Sequence, residues 1–509
     1  MLIKTYSASL AGIEPLIIQI EVNVDERGSK FYMVGLPDNA VKESQRRIQA
    51  ALKNCGFKMP FTRVTINLAP ADVRKEGSSH DLGIALGILA ASEQMQSDKL
   101  KDYMILGEVS LDGTLQPVRG ALPITAGARD HGYKGVILPV SNAAEAKVVE
   151  NIEIIAVANL KQAVDFIETG AVPEQLPEPA RAFATEEDIL DFEDVKGQEG
   201  VKRALEIAAA GGHNIILIGP PGVGKTMLAK RIPGILPPLT SEESLETTKI
   251  HSVAGALHPG MSLINERPFR SPHHTVSDVA LVGGGSIPKP GEISLAHNGI
   301  LFLDELPEFK RTVLEVLRQP LEDRCVTIAR TRLTVKYPAS FMLVASMNPS
   351  PSGDFYEHGK GPDSEQSVKR YLGRISGPLM DRIDLHIEVN PIPFEKLSST
   401  KEGERSASIR QRVLKAREIQ NSRFRSQPGI HCNAQMTSKN MKEYCVVDEA
   451  GNALLKNAVE RLGFSARSYA RILKVARTIA DLDNKEKIQV VHVAEAIQYR
   501  CLDREGWMR

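Results

Sequence analysis

Lys225 and Thr226 close the string Gly219-Pro220-Pro221-Gly222-Val223-Gly224-Lys225-Thr226, and further along the chain Asp304 and Glu305 close the apolar run Gly299–Leu303. The first pattern suits phosphate chemistry. Its glycines let successive backbone N–H groups curl around phosphate oxygens, and the helix that follows offers its positive N-terminus. Residues Gly219, Pro220, Pro221, Gly222, Val223 and Gly224 form the cradle, Lys225 reaches the β- and γ-phosphates, and Thr226 binds Mg²⁺. Asp304 at the end of a buried strand holds the same ion through water, and Glu305 beside it orients and polarises an attacking water. A third apolar run, Phe341–Ser346, ends at Met347-Asn348-Pro349. Asn348 can position that water. An Asn-Pro pair alone is an ordinary turn opener, and its place after the acidic strand gives it weight. A nucleoside triphosphate and Mg²⁺ are therefore the expected ligands.

These groups need elements that bring distant residues to one place. From Phe192 to about Pro393 short apolar strands alternate with helical stretches, and the phosphate loop directly follows the run Asn214–Ile218, as a parallel sheet covered by helices requires. Before it, strand-like runs (Pro15–Val24, Arg63–Leu68, Tyr103–Leu106, Gly135–Leu138, Ile152–Val157) alternate with helical patterns at Asn39–Asn54 and Asp81–Glu93, a mixed α/β domain. Gly170–Glu187, rich in Pro, Ala and Glu, reads as a linker. Phe394–Arg509 is helical in period. The expected division is an α/β domain at 1–168, a linker at 169–190, a nucleotide-binding core at 191–393 and a helical domain at 394–509.

The 509 residues exceed what one core holds. No apolar run approaches the ~18–20 residues of a membrane span, and the start Met-Leu-Ile-Lys-Thr-Tyr lacks a signal-peptide layout, so a cytoplasmic protein without membrane partners is expected. The five cysteines are scattered and never spaced Cys-x-x-Cys, which argues against a disulfide frame or a thiolate zinc site. Net charge is zero, yet residues 401–509 carry 21 basic and 13 acidic side chains, leaving the remainder acidic.

The string Gly377-Pro378-Leu379-Met380-Asp381-Arg382-Ile383-Asp384-Leu385, placed after these motifs, resembles the AAA+ ATPases and within them the magnesium-chelatase-like, ComM/YifB-like branch. The resemblance runs over nearly the whole chain. It implies that Arg382 acts in trans as an arginine finger on a neighbouring subunit's nucleotide; the competing reading is an Arg paired with Asp381 or Asp384 in a helix-to-strand turn. It also implies that Arg467, opening the helix-like stretch Ser465–Arg477, touches the γ-phosphate in cis as a sensor-two residue. The competing reading is a solvated basic helix face carrying Arg467, Arg471 and Lys474. The segment holding Pro268–His274 and Val282–Gly285 resembles the family's helix-two insert, and the adjacent His273-His274 pair lacks a further ligand at metal spacing, so it reads as structural. Cys325–Pro338 resembles the hairpin before sensor one, with Arg330, Arg332 and Lys336 as candidates for DNA phosphates; a solvent-facing hairpin tip is the equal alternative.

The stretch Asn67–Leu82 resembles the family's N-terminal domain, related to the Lon protease domain (ribosomal protein S5 domain 2-like). Ser79 falls near the nucleophile of a Ser-Lys dyad, but Val118-Arg119-Gly120-Ala121-Leu122-Pro123-Ile124 supplies no lysine, so this domain is expected to be non-catalytic. Where ComM-like relatives often carry Cys-Pro-Cys-Gly, this chain has Ser350-Pro351-Ser352-Gly353, so zinc is not expected. The fold so implied is a Lon-protease-like α/β domain, an AAA+ P-loop parallel αβα core and a C-terminal helical lid. The activity implied is a Mg²⁺-dependent ATPase forming a ring, usually a hexamer, acting on DNA as a helicase or in branch migration during recombination or transformation. A magnesium-chelatase-type chaperone motor for metal insertion or protein remodelling is the alternative reading, and a Lon-like protease is disfavoured by the missing lysine.

Overall fold

The runs Ile215–Ile218 and Ile300–Leu303 are apolar and buried at every position, the pattern of strands covered on both faces. In the computed structural model they belong to a five-stranded parallel sheet ordered Phe269–Arg270, Ile300–Leu303, Met342–Met347, Ile215–Ile218, Leu385–Glu388. The chain leaves Ile215–Ile218 towards one edge of the sheet and Met342–Met347 towards the other. These neighbours therefore form a switch point, with a crevice at their C-terminal ends. The structure describes residues 1–173, 190–353, 363–393 and 403–500, apart from 26–27, 29, 72–74, 76, 97, 259, 286–287, 331–332, 428 and 463. Most of the expected linker lies outside them.

The pleat divides the sheet's side chains between two cores. Ile215 and Leu217 join a cluster with helix Glu199–Gly211 and the C-terminal helices, whereas Ile216 and Ile218 join one with helices Arg311–Val316 and Glu365–Leu372 and the hairpin. The C-terminal helices, among them Ser406–Phe424, Ala466–Leu482 and Val490–Gln498, thus share a continuous core with the sheet. They are pinned by buried charge. Asp481 accepts from Arg423 at 2.6 Å, Asn433 at 2.7 Å and Arg477 at 3.1 Å, so the carboxylate is paired, as a buried charge must be. Among the described residues no helix is long and apolar enough to cross a membrane.

The N-terminal part is a seven-stranded mixed sheet that includes all five strand regions expected there, with helices at Asn39–Asn54 and Asp81–Ala91. The sequence pattern passes over its strand Leu2–Ala11, which pairs antiparallel with Glu14–Val24. The two sheets are in contact. Ser252, in helix Ser241–Ala254 that follows the phosphate-loop helix, donates to Glu145 at 2.6 Å and accepts from the Gly120 N–H at 3.2 Å. Leu10 and Ile13 pack on the cluster that holds the hairpin. A Cβ on Gly12 would meet Val335 Cγ1 at 2.5 Å, so this turn needs glycine for space as well as for its φ of +70°.

His80 and Asp81, next to Ser79, are buried. His80 Nδ1 lies 2.9 Å from Ser7 Oγ and its Nε2 3.2 Å from Ser9 Oγ. Burial pushes its pKa down to about 4, although Asp38 acts in the other direction. Burial pushes Asp81 up to about 6, against its pairing with Arg47 at 2.9 Å. A depressed histidine stabilises the fold above its unfolded value of 6.5, and that stability is lost as pH falls towards 4; the raised Asp81 works in the opposite sense, favouring the fold at low pH. The acid-side loss due to His80 should approach about 3 kcal/mol. It should vanish in His80→Gln, read as the difference in urea midpoint between the two proteins at pH 6.5 and pH 4.5. Parallel pH profiles would show that His80 does not titrate with folding.

Candidate functional site

Five of the expected residues converge at the crevice because they sit just past the ends of adjacent strands. The Gly219 N–H donates to Met347 O at 3.2 Å, fastening the start of the loop beside Asn348. Gly222 and Gly224 adopt φ of +78° and +88°, left-handed values that glycine takes without cost. The N–H groups of Gly222, Val223 and Gly224 have no acceptor among the described residues, so these donors are open to an anion. Lys225 Nζ donates to Gly219 O at 2.6 Å, Pro220 O at 2.9 Å and Asn348 Oδ1 at 2.9 Å. Burial pulls Lys225 below the usual lysine range, opposed by Asp304 and Glu305.

Thr226 Oγ1 donates to Asp304 Oδ2 at 2.7 Å, and Ser346 Oγ donates to Asp304 Oδ1. A hydroxyl and an oriented carboxylate are hard oxygen donors, and this set fits Mg²⁺. Glu305 stands at φ +53°, its N–H 3.3 Å from Ser346 Oγ and its carboxylate largely exposed over the crevice. Ser346 was missed as a functional residue because an isolated serine inside an apolar strand carries no motif. His274 was set aside as structural, yet its Nδ1 lies 3.8 Å from Glu305 Oε2, with its ring 4.1 Å from that of His273. The signal for it is positional: it follows the edge strand Phe269–Arg270 that pairs with Ile300–Leu303, the Walker B strand that ends at Asp304 and Glu305.

Arg382 and Arg467 are not in this cluster. The Arg382 carbonyl accepts from Asn214 Nδ2 at 3.0 Å, at the entry end of the strand whose exit end carries the phosphate loop. The four-residue strand between spans about 13 Å at ~3.3 Å per residue. The side chain is 5 % exposed, paired with Glu322 at 2.5 Å and donating to Pro378 O at 2.5 Å. Its partner is thus neither Asp381 nor Asp384. Asp384 instead takes Arg471 of helix Ala466–Leu482, His213 Nδ1 at 3.3 Å and the Asn214 N–H at 3.2 Å. Burial alone would raise its carboxyl, but Arg471 and His213 hold it far below the usual carboxylate range.

Arg467, expected to touch its own subunit's γ-phosphate, stands away from the phosphate loop of that subunit. Arg467 is exposed in the first turn of the helix. Its neighbour Ser468 accepts from Arg500 at 3.2 Å, and Arg500 donates to Ile383 O at 2.5 Å. The helix start therefore lies at the entry end, beside Arg382, with a strand's length between it and the phosphate loop. Nor is the stripe of Arg467, Arg471 and Lys474 simply solvated, since Arg471 binds Asp384 and Lys474 donates to Ala434 O at 3.0 Å.

The hairpin consists of Cys325–Arg330 and Leu333–Pro338. Val326, Ile328, Val335 and Tyr337 are buried, while Thr327 and Lys336, paired across the strands, are exposed. Arg330 ends the first strand opposite Leu333, and Arg332 lies outside the described residues. Where the resemblance puts cysteines, Ser350 Oγ and Ser352 Oγ are 3.0 Å apart and the Ser352 N–H donates to Asp363 at 3.0 Å, so hydrogen bonds brace this loop.

Comparison with known proteins adds three matches to family models: magnesium chelatase subunit ChlI over residues 191–397, subunit ChlI of Mg-chelatase over 20–142, and the ChlI C-terminal region over 403–500. The chain is 45 % identical over 506 residues to competence protein ComM of Haemophilus influenzae, covering 98 % of this chain and 97 % of that one. It is 44 % identical over 500 residues to YifB of Escherichia coli, with the same coverage.

Removing the Ser346 hydroxyl takes one charge-assisted bond from Asp304, worth ~1.5 kcal/mol. Ser346→Ala should weaken MgATP binding by about tenfold, measured by titration calorimetry. An unchanged affinity would exclude Ser346 from holding the carboxylate in place.

Proposed function

We propose that this chain, which belongs to the magnesium-chelatase-like ComM/YifB family of AAA+ proteins, is a Mg²⁺-dependent ATPase whose active site is completed by a second copy. The observation that carries this reading is the opposite placement of its charged groups. Lys225, Thr226, Asp304, Glu305 and Asn348 stand at the exit end of the parallel sheet, and Arg382 and Arg467 at the entry end.

Backbone donors of Gly222–Gly224 bind phosphate oxygens, and Lys225 leaves its loop carbonyls for the β- and γ-phosphates. Thr226 and Asp304 would hold Mg²⁺, which would supply positive charge to offset that of the phosphates. Glu305 accepts the proton of the attacking water, and Asn348 fixes that water's direction. Arg382, and Arg467 beside it, belong to the next subunit's reaction, where a guanidinium stabilises charge on the transferred phosphoryl group. A head-to-tail interface of this kind closes into a ring, and we take a hexamer as the working number.

The substrate we favour is DNA. In support, a competence protein is among the relatives of near-full coverage, the hairpin presents Lys336 to solvent, and the C-terminal region carries a basic surplus. Helicase or branch-migration work on recombining DNA follows from that choice.

Glu305→Gln should abolish hydrolysis while MgATP still binds; hydrolysis at the native rate would overturn the role of Glu305. Arg382→Ala and Lys225→Ala subunits, each inactive, should regain part of the activity when mixed, and no recovery would argue against action in trans. ATP hydrolysis should rise several-fold with single-stranded or forked DNA at low salt and fall back as salt is raised. If DNA has no effect, the motor works on a protein or in metal insertion.

A further inference from the structure

The arginine assigned above to the neighbour's nucleotide is folded away in its own subunit. Arg382 is buried, its Nε has no hydrogen-bond partner among the described residues, and its ion-pair partner Glu322 is half exposed. Asp323, next in the chain, is exposed as well. A buried guanidinium left without an anion is costly, so Glu322, whose carboxylate is half exposed, can leave only if Arg382 gains another anion in exchange.

Elsewhere on the subunit lies a groove of about 450 Å³ lined by Glu308, Lys310, Arg311, Arg370 and Arg374. Glu308 and Arg374 pair at 2.9 Å. Lys310 and Arg370 are exposed and have no ion-pair partner among the described residues, and Arg311, also exposed, is shared with Glu315. The groove starts just after Glu305, because Pro307 to Arg311 continue directly from the Walker B strand, and Arg374 donates to Pro307 O at 3.2 Å.

Resting on the trans reading of Arg382, we infer that Glu322 is a latch that restrains the arginine in the free subunit and transfers to the basic groove of the neighbouring copy on assembly. The two surfaces must meet. An arginine brought to the γ-phosphate beside Glu305 carries with it the carboxylate 2.5 Å away, and the groove is the surface next to that position. Two exposed carboxylates, Glu322 and Asp323, then face Lys310 and Arg370, with Arg311 beside them shared with Glu315, a match that fixes the register of head-to-tail docking. Transfer of Glu322 frees Arg382, so assembly and arming of the finger become one event. A lone subunit keeps its finger covered.

Charge reversal of each face in the full-length protein tests this, with assembly read by sedimentation in MgATP and turnover by ATPase assay. The double variants Glu322→Lys/Asp323→Lys and Lys310→Glu/Arg370→Glu alter exposed residues, and circular dichroism reports that they fold. Each should shift the protein towards monomer and lower ATPase at least tenfold. Combining all four changes in one chain should recover most of the assembly and at least a third of the activity. The inference is overturned if the double variants assemble normally, or if the combined variant is no better than either. It is also overturned if reversing the groove removes DNA binding while assembly persists, which would give the groove to nucleic acid. If Arg382→Ala and Lys225→Ala mixtures recover activity but the combined reversal does not, the latch fails and the trans finger stands. If those mixtures do not recover, the trans finger itself has failed.

Discussion

In a parallel sheet all strands point the same way, so loops that follow strands and loops that precede them lie at opposite ends. Here that geometry separates Lys225 from Arg382 by the length of Ile215–Ile218, and neither side chain can cross it. The phosphate-binding half and the arginine-bearing half of the site face in different directions on one subunit. Under the proposed function, each subunit therefore pairs its phosphate loop with an arginine from the next copy.

The entry end is also where the sheet and the C-terminal helices are tied together. Asp384 bridges Arg471, His213 and the Asn214 N–H, while Arg500 bonds Ile383 O and the His386 N–H donates to Tyr499 O at 2.7 Å. A buried carboxylate with several strong donors resists any relative movement that would strip it of them. Arg382, two residues before Asp384, and Arg467, one turn before Arg471, therefore move as one body. The helical segment is as much a wall of the core as a lid, since its apolar side chains share a cluster with Ile215 and Leu217.

The N-terminal sheet is attached to one helix and the hairpin of the core rather than to the nucleotide loop itself. Its contacts run to Ser252 in the helix Ser241–Ala254 and, through Leu10, Ile13 and Gly12, to the hairpin. Near Ser79 the polar groups are spent on structure: His80 lies between Ser7 and Ser9, and Ser78 donates to Glu108. Through Leu10, Ile13 and Gly12 the domain packs against the hairpin.

Local order along the chain was enough to read the phosphate loop, the Asp304-Glu305 pair and Asn348, because each sits where an apolar strand stops and the loop residues have few other uses. Helix Asn39–Asn54 and the hairpin strands were legible for the same reason, their periodicity being a property of neighbouring residues. The strand Leu2–Ala11 was not, since its mix of polar and small residues gains its place only by pairing with Glu14–Val24. Ser346, His274 and Glu322 carry no pattern at all; strand order and packing alone set each against Asp304, Glu305 or Arg382. The sequence by itself determined which chemistry is present. The tertiary structure alone decided on which end of the sheet each charge stands, and with it that Arg467 lies beside Arg382, because that depends on how strands far apart in the chain lie next to one another.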